Sequence, residues 1–258
     1  MKNSLRSMAF RVLLMTGFLF VGFGCVKIDT TLSLDRDGSG SMRAIYGMPT
    51  YIIKQAELMR QLSASLDVAA GKTNVISPAL DIPFLYDEAI LKAKFEGMAK
   101  DGIKLEAINL HEQGGWNYVD FTLKFKTLES LFKQSLFNDI GVSLKHLDDA
   151  SCKLTINLPH VGNAAEIASV VSQENINKLT PFLNGLRVAS HLTLPGDLRN
   201  SNSQISSGRH ATWEWDFDKD SQALARLARD KMIVVFDVAE VRIKDFEKPA
   251  SRVLANEK

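Results

Sequence analysis

Cysteine is nearly missing from this chain: 258 residues contain two, Cys25 and Cys152. So small a number excludes a disulfide-stapled framework, and it leaves no clustered thiolates for a structural zinc site. An excess of either charge is also lacking, with 31 Lys and Arg against 30 Asp and Glu. The charges are interspersed rather than blocked, so nothing points to nucleic acid as a partner. Long apolar runs are absent too. The most apolar stretch, residues 12–21 (VLLMTGFLFV), falls well short of the roughly 20 residues that a membrane-spanning helix needs.

What that short run does form is a secretory signal. Lys2, Arg6 and Arg11 make a positive n-region, residues 12–21 the apolar h-region, and Gly22 and Gly24 place small residues three and one before Cys25. This pattern resembles the lipobox of bacterial lipoproteins, with Gly22 where Leu is usual, and Cys25 is the residue that would be cut before and acylated. Plain secretion ranks second and an uncleaved anchor third. Diacylation plus an acylated amino terminus anchors stably, where one palmitate-like chain would be marginal. By likeness to Gram-negative sorting, Val26 after the cysteine, rather than Asp, favours the outer membrane facing the periplasm. The expected organisation is a signal peptide over 1–24, an α+β envelope domain over 25–246, and a disordered tail over 247–258. Residues 1–24 carry three of the basic residues and no acidic one, so the mature chain stays close to neutral.

Alternation defines the strands. Residues 26–34 place Val26, Ile28, Thr30, Leu32 and Leu34 on one side, residues 35–40 (DRDGSG) turn, and residues 41–48 return as a hairpin arm. Thr50 starts a helix with Ile52, Ala56, Met59, Leu62 and Leu66 on one stripe, followed by a loop over 68–83. A helix over 87–100 buries Leu91, Phe95 and Met98 and stops at Gly102. A hairpin follows over 103–126, turning at Gly114 and Gly115, with Val119, Phe121, Leu123 and Phe125 inward; a phase change predicts a bulge between Ala107 and Ile108. Thr127 caps a short helix with Leu128, Leu131, Phe132 and Leu136 inward. Strands over 142–147 and 152–158 come next, then a helical region over 164–183 bent near Pro181 and closed by Gly185. Strands over 186–194 and 211–217, a helix over 220–229 and an apolar central strand opening at Met232 complete the order. The predicted class is α+β, a largely antiparallel sheet built from hairpins interleaved with helices packed on one face.

Candidate chemistry is sparse. Asp35, Asp37 and Ser39 with Gly38 and Gly40 imitate half of a calcium loop, but Tyr46 stands where a bidentate Glu is needed, so a hairpin turn is the stronger reading. Gly71, Lys72 and Thr73 imitate the end of a phosphate loop whose first glycine is replaced by Leu66. His111, His146, His160, His191 and His210 never take helical metal spacing, and no metal or cofactor is expected. No glycine-flanked serine marks a nucleophile elbow. Asp120, Glu214 and Asp216 fall on polar strand faces, where solvation is the ordinary role. Cys152 alternates with Leu154, Ile156 and Leu158 and reads as a buried inert thiol. Trp213, Trp215, Trp116 and Tyr118 read first as core aromatics, and second as the lining of a groove for acyl chains.

Residues 25–40 (CVKIDTTLSLDRDGSG), with Leu194, Pro195 and Gly196 followed by Asn202, Gly208 and Trp213, resemble the envelope lipoproteins typified by the mycobacterial LppM domain. That resemblance implies a membrane-tethered domain meeting lipid or an envelope protein, and it transfers no catalytic residue. The function expected is a non-enzymatic binding or structural module of the cell envelope. A carrier of lipid or another apolar ligand is the alternative, and an envelope hydrolase with an unrecognised site is the third.

Overall fold

The computed structural model describes residues 26–69, 86–134, 137, 140–158, 185–220, 222–238 and 241–249. The expected leader over 1–24 with Cys25, the Gly71-Lys72-Thr73 segment, His160 and the helix expected over 164–183 lie outside the described residues.

The strands are β1 (Lys27–Leu34), β2 (Gly40–Pro49), β3 (Ile103–Gln113), β4 (Trp116–Phe125), β5 (Gly141–Asp148), β6 (Ser151–Asn157), β7 (Arg187–Thr193), β8 (Leu198–Ser201), β9 (Ile205–Ser207), β10 (His210–Asp216), β11 (Lys231–Asp237) and β12 (Phe246–Lys248). The helices are α1 (Thr50–Ala69), α2 (Glu88–Glu96), α3 (Leu128–Phe132) and α4 (Ala223–Arg229). Two sheets form, not the single sheet expected. The larger has the order β3-β4-β2-β1-β7-β10-β9 and the smaller β12-β5-β6-β11-β8. Among the described strand pairs all are antiparallel except β1 with β7.

The pleat sorts each strand's residues onto two sides. In the larger sheet Leu32, Leu34, Met42, Ala44, Val119, Phe121, Leu123, Phe125, Leu192, Ala211, Trp213 and Trp215 are buried, and they fall on one side by register. Val142, Leu144, Cys152, Leu154, Ile156, Met232, Val234 and Phe236 of the smaller sheet belong to the same buried cluster. The two sheets therefore share one core. Full burial of each large side chain stabilises by roughly 1.5–3 kcal/mol. Helices add to this core at particular points rather than covering a whole face. Phe95 of α2 meets Phe121 of β4 with ring centroids 4.7 Å apart, and Leu128, Leu131 and Phe132 of α3 belong to the same cluster.

The caps follow from local chemistry. Asp87 accepts from the Ile90 amide at 3.0 Å, and Thr127 from the Ser130 amide at 3.1 Å, each occupying a donor that a helix start leaves unpaired. The predicted helix over 87–100 breaks into α2 and a 3-10 turn over Ala99–Asp101, ended by Gly102 at φ 80°. The last helix starts later than predicted. Asp216 takes the amides of Asp218 and Lys219, so residues 217–219 turn, and Asp220 takes the amide of Gln222 just before the helix begins at Ala223.

Three further differences have physical causes. The bulge lies between Leu105 and Ala107, with Glu106 the extra residue, one step before the predicted position. β8 and β9 escaped the pattern because short polar strands such as LRNS and ISS do not alternate. The segment expected as a tail begins with ordered chain, because Phe246–Lys248 pairs with β5 and Lys248 Nζ donates to the carbonyls of Phe137 and Ile140 at 2.5 and 3.2 Å.

Candidate functional site

The larger sheet brings an aromatic group together at the end where β1 begins. β1 lies inside the sheet, between β2 and β7, and starts at Lys27, the second residue after Cys25. Lys27 pairs with Gly47, and Gly47 with Tyr118. Gly47 is needed there because a Cβ would stand 2.7 Å from Tyr118 Cε1 and 3.5 Å from Lys27 Cβ. The Tyr118 ring thus lies over the glycine, a way of covering a strand glycine with an aromatic neighbour. From β3, His111 stacks on Tyr118 at 5.2 Å, and the Trp116 ring is also stacked with Tyr118 at 6.4 Å. The Lys27 ammonium sits 4.1 Å from the centre of the Trp116 ring, a cation–π contact worth about 0.5–1 kcal/mol at an exposed site.

The neighbouring turn is fastened to the start of α1. Gly114 and Gly115 adopt φ 59° and 77°, the Thr50 amide donates to the Gly115 carbonyl at 2.9 Å, and Asn117 Nδ2 donates to Thr50 Oγ1 at 2.8 Å. Tyr51, next in the chain, is exposed.

The four aromatics considered as one groove are not brought together. Trp213 and Trp215 point into the core, whereas the alternation of β4 puts Trp116 and Tyr118 on the opposite side. β4 and β10 are also separated by β2, β1 and β7.

The acidic turn is occupied by its own hydrogen bonds. Ser39 Oγ donates to Asp37 Oδ1 at 2.6 Å, the Ser39 amide donates to the same oxygen at 3.0 Å, and the Asp35 amide donates to the Ser39 carbonyl. Those Ser39 hydrogen bonds hold the Asp37 carboxyl below its usual range. Among the described residues no group of three or more His, Cys, Asp or Glu is gathered as a metal site would require.

Asp120, Glu214 and Asp216 each meet a cation on the solvent side. Arg43 donates to both oxygens of Asp120 at 2.9 and 2.6 Å, Arg187 to Glu214 at 2.9 Å, and Lys219 lies 2.9 Å from Asp216. Hydrogen bonds from Arg43 and Lys219 lower the pKa of Asp120 and Asp216 respectively.

His146, His191 and His210 have separate partners. His146 Nδ1 pairs with Asp245 at 2.6 Å, and His210 Nδ1 meets Thr193 Oγ1 at 3.1 Å. His191 Nδ1 meets Thr212 Oγ1 at 3.0 Å while its Nε2 stands 3.6 Å from Asp29. This hydroxyl, imidazole and carboxylate sequence has the order of a nucleophile relay. Its Asp29 contact is longer than the 2.6–3.2 Å that orienting a base requires.

Cys152 is buried and donates to the Lys145 carbonyl at 3.3 Å. Burial first, then the nearby Asp245 charge, pushes its thiol up to about 11.

Sequence reasoning missed the role of Asn202. Its Oδ1 accepts from Trp213 Nε1 at 3.1 Å and from the Ile233 amide at 2.9 Å, while its Nδ2 donates to the Lys231 carbonyl at 2.6 Å. The available signal was its place in the set Leu194, Pro195, Gly196, Asn202, Gly208 and Trp213. Gly196 belongs to the same structural set, since a Cβ there would lie 2.0 Å from the Asp237 carbonyl oxygen.

A scan against protein-family models finds no match, and neither does a search of curated protein sequences. Among solved structures, the chain is similar to the NMR structure of the folded domain of Mycobacterium tuberculosis LppM, with 11% identity and a TM-score of 0.42 over 84% of this chain and 91% of that one. At that TM-score the likeness does not establish a common fold.

Proposed function

We propose that this chain is a bacterial lipoprotein, acylated at Cys25, whose two-sheet domain serves as a non-enzymatic binding or structural module at the envelope membrane. The observation that carries the reading is the shortness of the tether. β1 starts at Lys27 and is an interior strand, and two residues of chain reach at most about 7 Å. An acyl group on Cys25 would therefore hold the sheet itself against the membrane, with no linker to let it range. The pairing of Asp120, Glu214 and Asp216 with cations fits a surface built for contact rather than for proton transfer. Val26 after the cysteine supports an outer-membrane address in a Gram-negative source.

The test is Cys25→Ser in the full chain, expressed in a bacterial host. Wild type is expected in the membrane fraction with acyl mass on Cys25, and the variant in the soluble periplasmic fraction. Equal fractionation of the two, or an unmodified Cys25 in wild type, overturns the proposal.

A further inference from the structure

We infer that Trp116, Tyr118, His111 and Lys27 form a lipid-contacting corner that enters the headgroup layer of the bilayer to which the chain is tethered. This deepens, and rests on, the lipoprotein reading.

Position supplies the first argument. The patch occupies the end of the larger sheet where β1 begins, and Lys27 is itself one of its members. The chain outside the described structure joins β1 at Val26, so any anchor on Cys25 draws the end of the sheet that carries this corner, together with Arg187 of β7, to the lipid surface. Trp116 and Lys27 are only half-buried. The tether brings them within reach of phospholipid.

Composition supplies the second. Indole and phenol rings are apolar bodies with a polar edge, which is why Trp and Tyr gather at the level of lipid headgroups. A lysine stem covers apolar surface while its ammonium meets phosphate. The patch combines all three around a glycine that leaves room for them, and its rings stack into one surface. Further along the same side of β4, the side chains are Asp120, Thr122 and Lys124, and Asp120 and Lys124 are bound in ion pairs with Arg43 and Glu106. The aromatic surface thus ends where the ion pairs start.

A useful property of the chain makes the test specific. Of its three tryptophans, Trp213 and Trp215 are buried at 3% and 1% exposure, so quenchers outside the protein report on Trp116. Full-length protein purified from membranes is reconstituted into phosphatidylethanolamine and phosphatidylglycerol vesicles whose acyl chains are brominated near the glycerol. The expected result is loss of the Trp116 emission, with the residual emission of Trp116→Phe unaffected by bromine. Emission quenched by aqueous acrylamide but not by bromolipid would mean a corner facing water, and emission quenched by neither would mean a protein covering it. Either overturns the inference while leaving acylation intact. If instead Cys25 lacks acyl mass, the lipoprotein reading fails, and Cys25→Ser protein added to the same vesicles decides the patch by itself. Bromolipid quenching that persists there sustains lipid contact, and its absence overturns it.

Discussion

Trp213 donates its indole N–H to the side-chain oxygen of Asn202 at 3.1 Å, and that same oxygen accepts the Ile233 amide at 2.9 Å. Trp213 belongs to β10 of the larger sheet and Ile233 to β11 of the smaller. One amide side chain therefore joins the two sheets, at the point where the chain passes from β8 to β9.

Replacing Asn202 should loosen that joint. Asn202→Ala removes its bonds to Trp213, Ile233 and Lys231, and because Asn202 and Lys231 are exposed to water it is expected to cost about 1–2 kcal/mol in urea unfolding. Asn202→Asp keeps the acceptor and should cost less. A smaller loss for Ala than for Asp would contradict the joint.

Two glycines should separate close approach from backbone freedom. At Gly40 a Cβ would stand 2.0 Å from the Ser33 carbonyl oxygen and 2.7 Å from Phe125 Cζ, so Gly40→Ala is expected to cost about 3 kcal/mol by overpacking. Gly114 has φ +59° with nothing within 4 Å of a Cβ, and Gly114→Ala should cost only about 1 kcal/mol. Thermal or urea melts of both variants measure the difference.

Cys152 should titrate late. Its folded thiol is pushed up to about 11 from an ordinary 9.0, so between those values the folded state keeps a proton that the unfolded chain has lost. Its contribution is fully present below the unfolded value and fades as pH rises through the folded one. The stability gap between wild type and Cys152→Ala should be constant from neutral pH to the lower value, then shrink towards the upper. Thiol reagents should react slowly until the protein is unfolded.

The Arg43 and Asp120 pair carries the opposite sign. The Arg43 hydrogen bond depresses the Asp120 carboxyl, so its stabilisation is present above the unfolded carboxyl value and is lost as pH falls through the folded one. Arg43→Gln should cost about 0.5–1 kcal/mol at neutral pH, the range of a partly exposed pair, and nothing once Asp120 is protonated. Denaturation followed across acid pH, in wild type and variant, checks this.

Much of the local structure was legible in residue order. Alternation in residues 119–125 marks Val119, Phe121, Leu123 and Phe125 as inward, and all four are buried. Asp87, Thr127 and Gly102 mark helix ends because a cap is a bond between residues a few positions apart. The bulge was legible to within a step. A phase change shows that an extra residue exists, but the hydrogen-bond ladder to β4 selects Glu106 as that residue.

The aromatic corner was only half legible. Trp116 and Tyr118 drew notice only together with Trp213 and Trp215, and the sequence did not show His111 stacked beside them or Lys27 over the indole. The Lys27 contact joins residues far apart in the chain, and the His111 stack depends on the register of the hairpin.

Residue order alone marked the inward side of the longer strands and the main places where the chain turns, because each depends on neighbours within a few residues. Tertiary structure decided that there are two sheets, that β1 lies between β2 and β7, and that Trp213 and Trp116 occupy opposite sides of one sheet. The physical reason is the range of the interactions. Thr30 Oγ1 meets Ser190 Oγ at 3.2 Å across 160 positions of sequence, and the pairing of such strands is chosen by the burial and hydrogen bonding of the whole chain.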